Sequence, residues 1–294
     1  MQTGMEIWDE IKASFREGSV ITRLIYVNLS VFLIFRLLQV VFFLSGSDFT
    51  LMRWFELPAS FELFIRQPWS LVTYMFLHFD FLHILFNLLV LYWFGRIFMD
   101  YYNPAQLLGL YVAGGLAGGV FYILAYNLFP VFSTAVPFTW LLGASASIIA
   151  ILIAAAFTDP NRAVHLMLIG KIPLKYLALF MVVSYIIGIS GANAGGKLAH
   201  LGGVVAGYGF VALLRKGRDF ASPISGFIDN IRPKKQSGKK FRIIHRQPPR
   251  DDYEYNRQKA SDHKELNRIL DKIAEKGYDS LTKDEKETLF RHGK

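Results

Sequence analysis

The chain has 294 residues, 53% of them hydrophobic, 15% aromatic and 19% charged, and it contains no cysteine. Soluble domains are roughly a quarter charged, so this composition argues against two ordinary soluble domains, and the lack of thiols excludes a disulfide framework or a thiolate zinc site. The net charge of +9 is uneven: residues 1–214 hold 11 Lys/Arg against 10 Asp/Glu, and residues 215–294 hold 21 against 13, which describes an apolar body with a basic tail.

Residues 1–20 mix Glu6, Asp9, Glu10, Lys12, Arg16 and Glu17 with Met5, Ile7, Trp8, Ile11 and Phe15. That pattern predicts a short amphipathic helix at a membrane surface and argues against a cleavable signal peptide. Six stretches then have the length and apolarity of membrane helices, at about 22–44, 76–98, 105–127, 140–158, 174–190 and 194–214. Arg36 within the first is read as snorkelling or internally paired. The connection 45–75 carries Trp54, Phe55, Leu57, Phe61, Leu63, Phe64, Ile65 and Trp69, too much apolar surface for a loop in water. It is predicted to lie in the interface as an amphipathic hairpin of short helices. Short-loop charges (Arg96, Arg162, Lys171, Lys175, then Arg215, Lys216 and Arg218) place both termini in the cytoplasm.

The third span contains Gly114, Gly115, Gly118 and Gly119, and the sixth a row of Ala199, Gly203 and Gly207. Small residues at this spacing let helices approach closely in lipid. Four polar residues inside spans carry the functional signal: His83, Asn87, Ser145 and His200. Buried polar groups in lipid are costly and tend to be functional. With the N-terminus inside, the second, fourth and sixth spans all enter from the outer side. Ser145 lies about five residues into its span, His200 a similar distance, and His83 about seven, so the three share one layer at 1.5 Å per residue. Asn87 lies a turn deeper on the face of His83. A hydroxyl, a base and oxyanion donors are the parts of nucleophilic hydrolysis. Ser147 competes as nucleophile, but it lies about 200° from Ser145 around the helix, so one of the two faces His200. Gly143-Ala144 leaves room at the Ser145 N–H, whereas Ile148 and Ile149 crowd Ser147, which favours Ser145.

These residues resemble the rhomboid family of intramembrane serine proteases. His83-Ile84-Leu85-Phe86-Asn87 fits the family's HxxxN, Gly143-Ala144-Ser145 the start of its GxSG, and His200-Leu201-Gly202-Gly203 with Gly207 its glycine-flanked histidine. Trp69 and Thr73 to His78 look like the family's approach to the second helix. The resemblance implies an all-α, six-helix membrane bundle and a Ser145–His200 dyad with no aspartate, metal or cofactor. It implies an oxyanion site formed by the Ser145 N–H, His83 and Asn87, with Gly143 and Gly203 supporting it. His78 is implied to help hold water in the cavity, an ordinary interfacial histidine being the alternative. The implied substrate is another protein's transmembrane helix in the lipid bilayer, entering past the first loop and the outer end of the fifth helix, and the implied location is a bacterial inner membrane. Three departures stand out. Ala146 replaces the glycine after the serine, where one methyl is expected either to push the fourth and sixth spans slightly apart or to fit their close packing. Ile149 stands where many members carry an aromatic that stacks on the histidine, so His200 is expected to be held less firmly or by another aromatic that the sequence does not identify. Trp69-Ser70 replaces the family's Trp-Arg.

Residues 216–258, with Pro223, Pro233, Pro248 and Pro249 among Lys234, Lys235, Lys239, Lys240 and Arg242, read as a basic flexible linker near anionic headgroups, with a short interfacial helix at 220–231. No nucleic-acid module accompanies that charge. Residues 259–294 read as a small helical hairpin: Leu266, Ile269, Leu270 and Ile273 keep helical spacing, Gly277 ends the helix, and Thr282 with Glu285 forms a capping box. The expected division is therefore 1–20, a membrane domain at 21–215, the linker 216–258 and the hairpin 259–294. The rival readings are a pseudoprotease that binds membrane proteins without cutting them, and a transporter using His83 and His200 as a proton path, which no inverted repeat supports.

Overall fold

The structure is a computed structural model that describes residues 2–166, 170–224, 226 and 266–292. It divides into two units, Met1–Lys234 and Lys235–Lys294. In the first unit, helix α1 (Gln2–Glu17) precedes α2 (Val20–Leu44), whose start is fixed by Ser19: its hydroxyl accepts from the Thr22 N–H at 3.2 Å. The connection that follows forms a 3-10 turn (Leu51–Trp54), strand β1 (Leu57–Pro58) and the short helices α3 (Phe61–Arg66) and α4 (Ser70–Thr73). The short helices were legible; the strand was not. Then come α5 (Phe81–Met99), α6 (Pro104–Leu128), strand β2 (Trp140–Leu141) and α7 (Ser145–Thr158). A hairpin of β3 (Ala163–Leu166) and β4 (Gly170–Pro173) leads to α8 (Leu174–Ile187) and α9 (Ala194–Leu214). Both strand pairs are antiparallel, with Leu57 opposite Leu141 and Val164 opposite Ile172.

Among the described residues, four helices, α2, α5, α6 and α9, are long and apolar enough to cross a membrane, and α7 and α8 are shorter apolar helices. The chain is a multi-pass helical membrane protein. Two helix starts differ from expectation. The fourth span begins its helix at Ser145, because 140–141 pair with β1 and Gly143 takes φ +128°. The second begins at Phe81, because the Asp80 carboxylate accepts from the His83 N–H at 2.8 Å and caps it. Asn103 and Gln106 form a full capping box at the start of α6, and Pro104 takes its first position. Arg36 bonds Gln39 at 2.7 Å and the Phe79 carbonyl, so it is internally paired.

The core is built where α6, α7 and α9 meet. A Cβ added at Gly203 would sit 2.3 Å from the Ala146 carbonyl oxygen, and one at Gly207 2.4 Å from that of Ala150. On the other side of α7, Gly118 faces the Ala146 methyl, which a Cβ there would meet at 2.6 Å. Of the two expectations for Ala146, close packing holds: its methyl points at α6, where a glycine receives it, and not at the sixth span. Gly203→Ala is expected to force α7 and α9 apart and destabilise the bundle by about 1–3 kcal/mol. Gly209→Ala, with no atom within 4 Å of the added methyl, is the control, and thermal unfolding of both in detergent is the measurement. A polar cluster ties α2 to this core: Asn28 Nδ2 donates to the Tyr111 hydroxyl at 3.1 Å, which donates to the Met75 carbonyl at 3.2 Å. Packing continues past Arg215. Ala221 is fully buried against Gly109, and Asp219 accepts from the Gln106 amide at 2.9 Å.

Most of the expected linker, 216–258, lies outside the described residues. In the second unit, 266–276 are helical, Gly277 turns at φ +77°, and α10 (Lys283–His292) follows. Thr282 and Glu285 form the reciprocal cap, with N···O distances of 2.9 and 3.4 Å. Glu285 also accepts from Lys272 at 2.8 Å, and these bonds pull its carboxyl down to about 2. A carboxyl held below its usual 4.5 stabilises the fold fully above that pH and loses the contribution as pH falls towards 2. Carboxyl NMR is expected to show Glu285 titrating near pH 2, and Glu285→Gln should remove this part of the acid sensitivity of the hairpin.

Candidate active site

Three backbone devices bring the polar residues together. Strand β2 leads into Leu142 and Gly143, whose N–H donates to the Tyr74 carbonyl at 3.0 Å. Gly143 turns the chain through a positive φ that a side chain would strain, and α7 starts at Ser145. The first backward bond at this helix start runs from the Ile148 N–H to the Ala144 carbonyl at 3.0 Å. The N–H groups of residues 145–147 therefore stand at an open helix N-terminus, which favours negative charge. Ser145 was expected about five residues inside a helix; as the first helical residue it gains those unpaired donors.

His200 is carried on α9, whose register against α7 is set by Gly203 lying on the Ala146 carbonyl. Its Nε2 is 2.7 Å from the Ser145 Oγ. With that nitrogen unprotonated, the serine hydroxyl donates to it and Nδ1 carries the ring proton. Nδ1 is buried and finds no partner among the described residues. The Tyr185 ring, from α8, lies against the imidazole with centroids 4.6 Å apart and planes at 59°. From the sequence, Ile149 left His200 either held less firmly or held by another aromatic that could not be identified; Tyr185 is the aromatic the structure places there. Ile149 is buried in the same apolar cluster as Tyr185.

His83, the third residue of α5, accepts the Phe79 N–H on Nδ1 at 3.3 Å, so its proton sits on Nε2. That Nε2 comes within 3.0 Å of where a Cβ on Gly143 would lie, and the Ser145 Oγ within 3.7 Å of the same point. A side chain at position 143 would thus fill the space between imidazole and hydroxyl. Asn87 donates one amide N–H to the His83 carbonyl at 2.8 Å and has a second to offer. His78 is buried outside the cavity lining, its ring 5.1 Å from that of His83. Ser147 is fully buried and faces the Met75 sulfur at 4.0 Å, away from His200.

Ser145, His200, His83, Asn87 and Gly143 line one cavity of about 880 Å³. The connection 45–75 contributes Met52, Arg53 and Glu56 to its wall, and β2 contributes Trp140 and Leu141. The Arg53 guanidinium lies 3.8 Å from the centre of the Trp140 ring and 3.6 Å from the Glu56 carboxylate. Burial pushes the Glu56 carboxyl up, and Arg53 opposes that shift. This arrangement supplies a hydroxyl, an adjacent base and three N–H donors around one space.

The family model described as Rhomboid domain matches residues 65–217, just over half of the chain. The chain belongs to the rhomboid family. Its rhomboid domain thus takes in the end of the connection 45–75 and helices α4 to α9. A second model, for a family of unknown function (DUF6576), matches residues 251–294. Similar proteins include RHOMBOID-like protein 12, mitochondrial, of Arabidopsis thaliana, 28% identical over 72% of this chain and 63% of that protein. Rhomboid protease GlpG of Yersinia pestis is 26% identical over 62% of this chain and 60% of that protein. The chain thus spans somewhat under two thirds of the relatives it matches.

Proposed function

We propose that this rhomboid is an intramembrane serine endopeptidase acting through a Ser145–His200 dyad. The observation that carries the reading is the 2.7 Å contact between Ser145 Oγ and His200 Nε2 at the open end of α7. Ser145 attacks the peptide carbonyl carbon while His200 Nε2 takes the hydroxyl proton. The charge that develops on the carbonyl oxygen is met by the Ser145 N–H, His83 Nε2–H and the free Asn87 N–H. His200 returns the proton to the leaving amine, which departs and leaves an acyl ester on Ser145. A water then gives its proton to His200, attacks the ester and releases the new carboxyl terminus, restoring both side chains.

The substrate is a transmembrane segment of another protein, reached from the lipid bilayer. The serine faces the outer side, and both ends of the chain are cytoplasmic in a cell membrane. Loop charges support that orientation. The likeness to a bacterial protein named as a rhomboid protease supports the reaction class. The hairpin of residues 266–292 is cytoplasmic and takes no part in the chemistry. The test is labelling with an activated fluorophosphonate, with the modified residue identified by mass spectrometry. A stable phosphonyl adduct on Ser145, lost in His200→Ala, supports the dyad. A folded protein that binds transmembrane peptides and stays unlabelled would make it a pseudoprotease instead.

A further inference from the structure

A general base needs its ring held in one orientation, and in triads a third polar group does this through the nitrogen that faces away from the nucleophile. Here that nitrogen, His200 Nδ1, is buried with no partner among the described residues. Its hydrogen bond to Ser145 fixes one end of the ring and leaves rotation about that axis open. The Tyr185 ring limits that rotation. It is 8% exposed, its centroid lies 4.6 Å from that of the imidazole, and the 59° tilt aims an edge of one ring at a face of the other. The Lys197 ammonium sits 5.9 Å from the Tyr185 ring centre, one turn before His200 on α9.

The helix that carries Tyr185 is attached along a narrow line. Leu174, Ala178 and Tyr185 are its buried residues, whereas Leu179, Phe180, Ile186 and Ile187 face out of the bundle at 55% exposure or more. Beside this line an apolar cleft of about 590 Å³, lined by Ala178, Leu179 and Val182 of α8 with Ile153, Val204 and Tyr208, separates α8 from its neighbours. Leu177, Met181 and Val182 also pack, half-buried, against the apolar cluster that holds Ile149, and Tyr185 is the α8 residue whose ring lies against the imidazole.

We propose that Tyr185 is the positioning residue for His200, so that the base is aligned only while α8 is seated against α7 and α9. This rests on the dyad assigned above. Ring alignment bears on the chemical step and leaves substrate affinity alone, because Tyr185 is absent from the lining of the cavity. Losing the alignment is expected to lower kcat about 10- to 100-fold with KM within about threefold, the scale of effect of a misplaced catalytic group.

The experiment measures kcat and KM of the full chain in detergent, with a transmembrane peptide substrate, for wild type, Tyr185→Phe, Tyr185→Leu, Tyr185→Ala and Ser145→Ala. Tyr185→Phe keeps the ring and should stay within about twofold of wild type. Tyr185→Leu keeps most of the apolar volume without a ring, and should lose kcat with Tyr185→Ala. Thermal unfolding shows which variants are folded; if Tyr185→Ala is not, Tyr185→Leu carries the comparison. Full kcat in the folded Leu variant, or a Phe variant as impaired as Leu, would overturn the proposal while leaving the dyad standing. A wild type that neither cleaves nor labels, or a Ser145→Ala protein that cleaves as well as wild type, would overturn the dyad and this proposal with it.

Discussion

Ser145→Ala is expected to abolish cleavage, with kcat falling by about 10⁴ or more, while Ser147→Ala is expected to retain most of it. The first change removes the atom that bonds to the substrate, and nothing else in the cavity offers a hydroxyl 2.7 Å from an imidazole among the described residues. The second removes a hydroxyl whose partner is the Met75 sulfur at 4.0 Å, a contact too weak to matter for catalysis. Its effect is confined to packing of α7 against the Tyr74–Phe76 turn and against Gly115 of α6. Initial rates on one substrate, for proteins matched in melting temperature, are the measurement. An active Ser145→Ala beside a dead Ser147→Ala would reverse the assignment of the nucleophile.

His200→Ala is expected to lose as much as Ser145→Ala, and the double variant no more than either. Residues that act as one unit are not additive, because the hydroxyl without its base is nearly inert. Single changes at the oxyanion donors should be milder. His83→Ala and Asn87→Ala each remove one of three N–H groups, and one such donor is worth about 10² to 10³ in kcat. Each should therefore stay measurably above the Ser145→Ala background. Asn87→Ala also removes a bond to the His83 carbonyl within α5, so its melting temperature is part of the comparison. Equal losses in folded Asn87→Ala and His200→Ala would deny Asn87 its oxyanion role.

Hydropathy located the spans because it measures compatibility with lipid, and for the same reason it misplaced two helix starts. Residues 76–80 and 140–144 are apolar enough to read as helix, yet one run ends at a capping aspartate and the other pairs as a strand before a positive-φ glycine. Asp80 and Gly143 were visible as residues; what each does to the backbone depends on partners distant in sequence. The meeting of Ser145 with His200 was legible from spacing and depth even though the helix boundary assumed for the serine was displaced. The direction of the Ala146 methyl was not, since it depends on how α7 is rotated between Gly118 and Gly203. Tyr185 was illegible for a similar reason. An aromatic residue in an apolar helix carries no mark of which side chain it will touch, and its partner lies on the next helix.

The short α7 has a consequence for how the protein sits among lipids of different chain length. At 14 residues it spans about 21 Å, well below a hydrocarbon core of about 30 Å, and residues 146–156 are buried throughout by the surrounding helices. Its length is therefore matched to its neighbours and not to the bilayer. When acyl chains lengthen or shorten, the mismatch falls first on α2, the long helix with the least of its surface buried in the bundle, which can tilt to absorb it. The depth of Ser145 relative to His200 is set by glycine–backbone contacts inside the bundle and stays constant. Reconstitution in bilayers of graded thickness should therefore shift which peptide bond of a substrate reaches the serine, with much less change in the rate at which an already bound bond is cut.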